Sequence, residues 1–197
     1  MVIFAVQIQV MASTGDIKIG SVIRYNGELC IVSDKQHTMP GKGGAFYQVK
    51  MKSIQNGRSY ENRFRSGENV DIARLVYSEL QYIYAEGEHF VCMNQETYEQ
   101  IHIPKVLFGD NAKFLKESMI VKVGFESDQP ILAEAPTFVE LLITYSEPGI
   151  KGDTATNTMK PATLETGAEI KVPLFVNEGD TIKIDTRTGE YMERVKD

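Results

Sequence analysis

The sequence contains no tryptophan, and it has only two cysteines and three histidines in 197 residues. Cys30 and Cys92 form neither a C-x-x-C pair nor a disulfide framework, which excludes a stapled secreted scaffold and fits a reducing cytoplasm. His37, His89 and His102 show no H-x-x-x-H spacing, and neither cysteine has a metal-ligating neighbour, so no metal site is expected. There is no G-x-S-x-G nucleophile elbow. The Gly41-Lys42 pair is not a phosphate-cradling loop, because Gln36 stands where the earlier glycine belongs and no Ser or Thr follows the lysine. No apolar run approaches the ~20 residues of a membrane span, so no membrane is expected as a partner. What is present is ordinary for a soluble globular chain, with 42% apolar and 24% charged residues. Disorder is excluded by the same balance. The opening MVIFAVQIQV lacks the basic region and small-residue cleavage site of a secretory signal. Residues 1–10 are expected to be a short extension or an over-called start, with an extra edge strand as the alternative.

Charge is unevenly distributed. The formal net charge is −6, but residues 1–75 carry +4, residues 76–138 carry −6 and residues 139–197 carry −4. A positive end on a negative body suits one face for an anionic partner and a remainder that avoids promiscuous adhesion to nucleic acid. Chance variation in small domains is the competing explanation.

Strand signals dominate the chain. Apolar-rich runs flank Asn26-Gly27 and Asn56-Gly57, two strong hairpin signals. Further hairpin turns are expected at Glu86-Gly87, at Ser127 to Pro130 and at Thr188-Gly189. Helical periodicity is brief, around Thr97–Ile101 and Asp110–Lys116. Breaks at Ser66–Asn69 and at Ala135-Pro136 divide the chain into three segments, 1–75, 76–138 and 139–197. Each is small but sufficient for a β-barrel, so the fold class is all-β with three barrel domains.

One loop stands apart from this scaffold. His37 to Phe46 reads H-T-M-P-G-K-G-G-A-F between a strand ending near Asp34 and another beginning near Ala45. Pro40 restricts its own backbone and that of Met39, while Gly41, Gly43 and Gly44 permit a tight reversal. A projecting hairpin tip with one long cationic side chain, Lys42, is the expectation. A polar turn with a solvated lysine is the plainer alternative. Arg63 and Arg65 share one face of an extended strand, where both could meet a nucleic-acid backbone or simply be solvated.

At this loop the sequence resembles the bacterial elongation factor P family. P-G-K-G-G-A-F matches the segment where that family carries a modified residue, and the likeness continues through NQETYEQI (94–101), GDNAKFL (109–115) and residues 149–195. The resemblance implies an SH3-like, KOW-type first domain and two OB-type barrels in an elongated, tRNA-like arrangement. It also implies a monomeric, non-catalytic translation factor. Such a factor binds both ribosomal subunits between the peptidyl and exit sites and relieves stalling at consecutive prolines by positioning peptidyl-tRNA. Carried over by position, Lys42 is the tip residue, a candidate for covalent modification by a lysine-modifying enzyme, with no other cofactor. Gly152, Asp153 and Thr154 match a third-domain loop placed near the exit-site mRNA codon. Met39 departs from the family, which often has lysine or another polar residue there, and residues 1–10 have no counterpart in the usual family start.

Two readings from other classes compete. An OB-fold RNA-binding or RNA-chaperone module would need aromatic stacking residues interleaved with basic ones, which Tyr47 and Phe64 supply only thinly. An enzyme using Lys42 as nucleophile would need a desolvated pocket, whereas a glycine-flanked tip is expected to be exposed.

Overall fold

The computed structural model describes residues 11–41, 43–147 and 158–195. Among them are sixteen β-strands and one 3-10 helix, an all-β, multi-domain architecture. Residues 1–10, and with them the choice between an extension and an edge strand, lie outside the described residues. By internal contacts the chain forms two compact units, residues 1–76 and 77–197.

The first unit contains β1 (Met11–Ser13), β2 (Val22–Tyr25), β3 (Glu28–Thr38), β4 (Phe46–Ser53), β5 (Ser59–Arg65) and β6 (Asn69–Asp71). Strands β2 to β5 form an antiparallel meander, and β1 pairs with β6. Asn26 and Gly27 both take positive φ, 51° and 81°, which is what a two-residue hairpin turn between right-twisted strands requires. The core is Ile17, Ile23, Cys30, Val32, Val49, Met51, Phe64 and Val70. Ser33 adds a bulge to β3, where the register with β4 slips by one residue between Val32 and Asp34. Inward alternation therefore passes from Cys30 and Val32 to Lys35 and His37 rather than to Asp34 and Gln36.

The second unit holds two further cores. Strands β7 (Val76–Glu86), β8 (His89–Met93), β9 (Gln100–Pro104), β10 (Ile120–Glu126) and β11 (Gln129–Glu134) form a sheet in the order β11-β10-β7-β8-β9. The Lys105–Phe114 segment between β9 and β10 is 3-10 helix, kinked at Gly109, rather than an α-helical turn beginning at Asp110. No helix forms at Thr97–Ile101. The Asn94 carboxamide oxygen accepts from the Glu96 and Thr97 amides at 2.8 and 3.2 Å, closing a turn, and Gln100 onward pairs with β8. The turn expected at Glu86-Gly87 falls one residue later, because Glu86 itself pairs with His89. At the other expected turn Ser127 and Asp128 supply positive φ of 48° and 66° without a glycine.

Strands β12 (Phe138–Ser146), β13 (Met159–Leu164), β14 (Glu169–Pro173), β15 (Thr181–Asp185) and β16 (Glu190–Arg194) form a sheet in the order β14-β13-β12-β15-β16. Its core includes Val139, Leu141, Leu164, Val172, Ile182 and Ile184, and it is completed from outside the sheet by Phe114 of the 3-10 helix. The Thr186 hydroxyl donates toward the Pro136 and Thr137 carbonyls at 2.7 and 3.2 Å. The Lys116 ammonium meets the Glu165 carboxylate at 2.9 Å. Burial pushes the Glu165 carboxyl upward, but the Leu142 amide and Lys116 outweigh it and hold the group below its ordinary value. Among the described residues no helix is long and apolar enough to cross a membrane.

Candidate functional site

Burial declines toward the outer end of the β3–β4 hairpin. Val49, opposite Lys35, is the last β4 residue to be fully buried toward the tip. Beyond it the ladder continues through Gln36↔Gln48, His37↔Tyr47 and Thr38↔Phe46, after which residues 39–45 make the connection. Within that connection Met39, Pro40, Gly41, Gly43 and Gly44 are all exposed, Met39 at 74%. Gly43 has φ +119°, a conformation that disfavours any side chain, and a Cβ there would lie 3.8 Å from the Pro40 ring. Gly41 and Gly44 have no such φ and face open space. Their smallness clears the loop rather than bending it. Lys42 lies outside the described residues, as do Gly152, Asp153 and Thr154.

Two sets of side chains support the exposed ladder. On one face the Arg63 guanidinium lies over the Phe46 ring at 4.6 Å, and Arg65 is directly opposite Phe46 in register. Both arginines are exposed, while Phe64 between them points inward at 8% exposure. Residues 44–46 and 63–66 line a shallow open cleft here. The Arg65 backbone is fixed: its amide donates to the Glu68 carboxylate at 2.8 Å and its carbonyl accepts from the Thr14 hydroxyl at 3.0 Å.

On the other face His37 stacks on Tyr47, with ring centroids 4.4 Å apart and planes 18° apart. The Lys35 ammonium lies 4.3 Å from the centre of the Tyr47 ring and donates to the Gly15 and Ile17 carbonyls at 3.0 and 2.7 Å. Tyr47 is thus engaged by two neighbours and Phe64 is in the core. Neither offers the free stacking face that a general single-stranded RNA binder needs.

Sequence reasoning singled out Lys42, Arg63 and Arg65 but missed Lys35, His37 and Phe46 as parts of this construction. The only available signal was the set of aromatic and basic residues in K-Q-H-T-M-P-G-K-G-G-A-F-Y (35–47). Reading it required knowing that the bulge turns Lys35 and His37 toward Tyr47. At the base of the meander, Glu28 at the first hairpin turn accepts from the Asn56 amide at 3.1 Å and the Tyr60 hydroxyl at 3.3 Å. Hydrogen bonds from Ser53 above all, then Asn56 and Tyr60, hold its carboxyl below the ordinary 4.5.

Comparison with known proteins covers nearly the whole chain. The family model for the elongation factor P KOW-like domain matches residues 13–70, that for the elongation factor P OB domain residues 75–133, and that for the elongation factor P C-terminal domain residues 139–194. Elongation factor P of Chloroherpeton thalassium is 51% identical over 187 residues, spanning 94% of this chain and all of that protein. Elongation factor P of Coprothermobacter proteolyticus is 48% identical over 185 residues, with the same coverage. Among solved structures, eukaryotic translation initiation factor 5A from Methanococcus jannaschii aligns with a TM-score of 0.51 at 20% identity, over 64% of this chain and 94% of that one, a likeness of fold.

Proposed function

The chain belongs to the elongation factor P family of translation factors, and from that premise we propose that it acts at the peptidyl end of peptidyl-tRNA. It binds the ribosome between the peptidyl and exit sites, contacts both subunits as a monomer in the cytoplasm, and speeds peptide bonds between consecutive prolines. The observation that carries this reading is the declining burial of the β3–β4 hairpin toward its tip and the exposed loop residues beyond it. Three ladder pairs, and a loop in which Met39, Pro40, Gly41, Gly43 and Gly44 are exposed, extend past the last buried β4 residue, in the part of the chain that carries +4. Such an arm suits a narrow cleft lined with phosphate.

The chemistry follows from proline itself. Its ring restricts the chain and its nitrogen is a secondary amine, so consecutive prolines reach the geometry of attack with difficulty. A factor that holds peptidyl-tRNA in place removes unproductive conformations and restores near-attack alignment. The ribosome remains the catalyst, and this chain needs neither catalytic residue, metal nor cofactor. Lys42, extended by a lysine-specific modifying enzyme, contacts phosphate and hydroxyl groups without reading bases. Pro40, Gly41, Gly43 and Gly44 keep its surroundings narrow. Arg63 and Arg65 meet the tRNA backbone from the adjacent face, and Gly152, Asp153 and Thr154 approach the exit-site codon. The domains that divide these tasks have borders near residues 75 and 138.

The test replaces Lys42. Lys42→Ala is expected to keep its thermal midpoint and bind ribosomes with modestly reduced affinity. Synthesis across a proline run falls to the rate without the factor, while a proline-free reporter is unaffected. Wild-type stimulation by Lys42→Ala would overturn the proposal.

A further inference from the structure

We infer that His37 is a positioning residue: its stack on Tyr47 stiffens the outer end of β3, which pairs there with β4 alone among the described strands, and thereby fixes where the tip is held. The inference rests on the reading of that tip as the acting end. Beyond Val49 the β4 side of the ladder is still packed, since Tyr47 lies against the core opposite the buried Phe64 of β5, but pairing of β3 with β2 ends at Ile31, so among the described strands the exposed Gln36, His37 and Thr38 pair with β4 alone. A strand end with a partner on one side and exposed side chains frays readily. Contacts across to the packed β4 must hold it.

His37 and Tyr47 are cross-strand partners in that outer ladder, with centroids 4.4 Å apart and planes 18° apart. Directly opposed side chains are the units that stabilise paired strands. Tyr47 is itself anchored, because the Lys35 ammonium over its ring also bonds the Gly15 and Ile17 carbonyls. The connection therefore runs from the 15–17 loop through Lys35 and Tyr47 to His37, one residue before the ladder ends at Thr38. His37 is exposed and contributes nothing to the core, so packing alone does not account for its placement. Accuracy at this end matters in proportion to the chemistry, since a misplacement of ~1 Å can cost ~10²-fold in rate.

The experiment separates stiffness from function. A nitroxide is attached to Gly44→Cys, a position where a Cβ meets nothing within 4 Å and φ is not positive. Cys30 and Cys92 are buried and do not compete for the label. In the full chain, His37→Ser is expected to sharpen the spectrum of the bound label, and His37→Phe, which keeps the stack, restores the wild-type line shape. In unlabelled protein, His37→Ser lowers maximal stimulation across a proline run by roughly tenfold, within the ~10²-fold range of misplacement. The factor concentration giving half-maximal effect and the thermal midpoint stay unchanged, and His37→Phe recovers the rate. An unaltered spectrum in His37→Ser overturns the stiffening, and so does a loss that His37→Phe fails to repair. Unchanged stimulation despite a loosened tip overturns the positioning role. Lys42→Ala, run in parallel, reports on the underlying function. If that variant retains stimulation the proposed function falls, while the label still decides whether His37 holds the hairpin end.

Discussion

Phe114 offers the sharpest test of how the second unit is built. It ends the 3-10 helix that follows β9, yet it is 1% exposed and packs in the core formed by β12 to β16. Fully burying a phenylalanine is worth about 1.5–3 kcal/mol in transfer alone. Truncation also leaves a cavity, which brings Phe→Ala in a core to about 3–5 kcal/mol. The site has little freedom to collapse, because the Gly189 turn lies against the ring, with a Cβ on Gly189 only 3.4 Å from Phe114 Cζ. The upper half of that range is therefore expected for Phe114→Ala. For a chain of this length each 1 kcal/mol moves the midpoint by about 2–4 °C, so a fall of roughly 10 °C or more should follow. Segment-resolved hydrogen exchange places the damage. Amides of β12 and β15 should lose protection although the substitution is in a residue N-terminal to that whole sheet. A cost below about 1 kcal/mol would refute the role of Phe114 as a core residue of the C-terminal sheet. So would lost protection confined to β7 to β11.

Three further outcomes follow from other sites. Glu28 has a folded-state pKa below its ordinary 4.5, so its contribution is present above that value and is lost as pH falls through the lowered one. The thermal midpoint of wild type should therefore decline below pH 4.5 more steeply than that of Glu28→Gln, and parallel curves would count against the Asn56, Tyr60 and Ser53 tie. Gly43→Ala, forced to φ +119°, should disturb the loop and reduce stimulation at proline runs, whereas Gly44→Ala should leave the fold and midpoint unchanged. Burial pushes the Cys92 thiol up to about 11, so iodoacetamide at pH 8 should label it only after unfolding, as read by intact mass.

Much of the fold was legible because its signals are local. Asn26-Gly27 is a two-residue hairpin turn by composition alone, and it is one in the structure. The Thr97–Ile101 helix was misread because helical spacing over five residues cannot compete with a side-chain-closed turn at Asn94 followed by pairing to β8. Ser127 and Asp128 accept left-handed backbone without glycine, so that turn was found from its flanks rather than its residues. Phe114 was invisible for a different reason. An aromatic residue at the end of a short helix gives no sign that its partners begin more than twenty residues later. The support of the hairpin tip was hidden by the bulge, since strict alternation from Val32 assigns Asp34 and Gln36 to the face that Lys35 and His37 occupy.

That bulge also decides where the hairpin points. Deleting Ser33 would leave Val32 opposite Met51 and Asp34 opposite Lys50, so each pair of the outer ladder, and the stack within it, could persist. What would go is the local bend and added twist that an extra residue gives a strand. The arm would leave the barrel along a different line with its own stiffness intact. Aim and rigidity thus reside in separate residues, Ser33 for the first and His37 with Tyr47 for the second. A deletion and a substitution only four residues apart could therefore vary one while holding the other fixed.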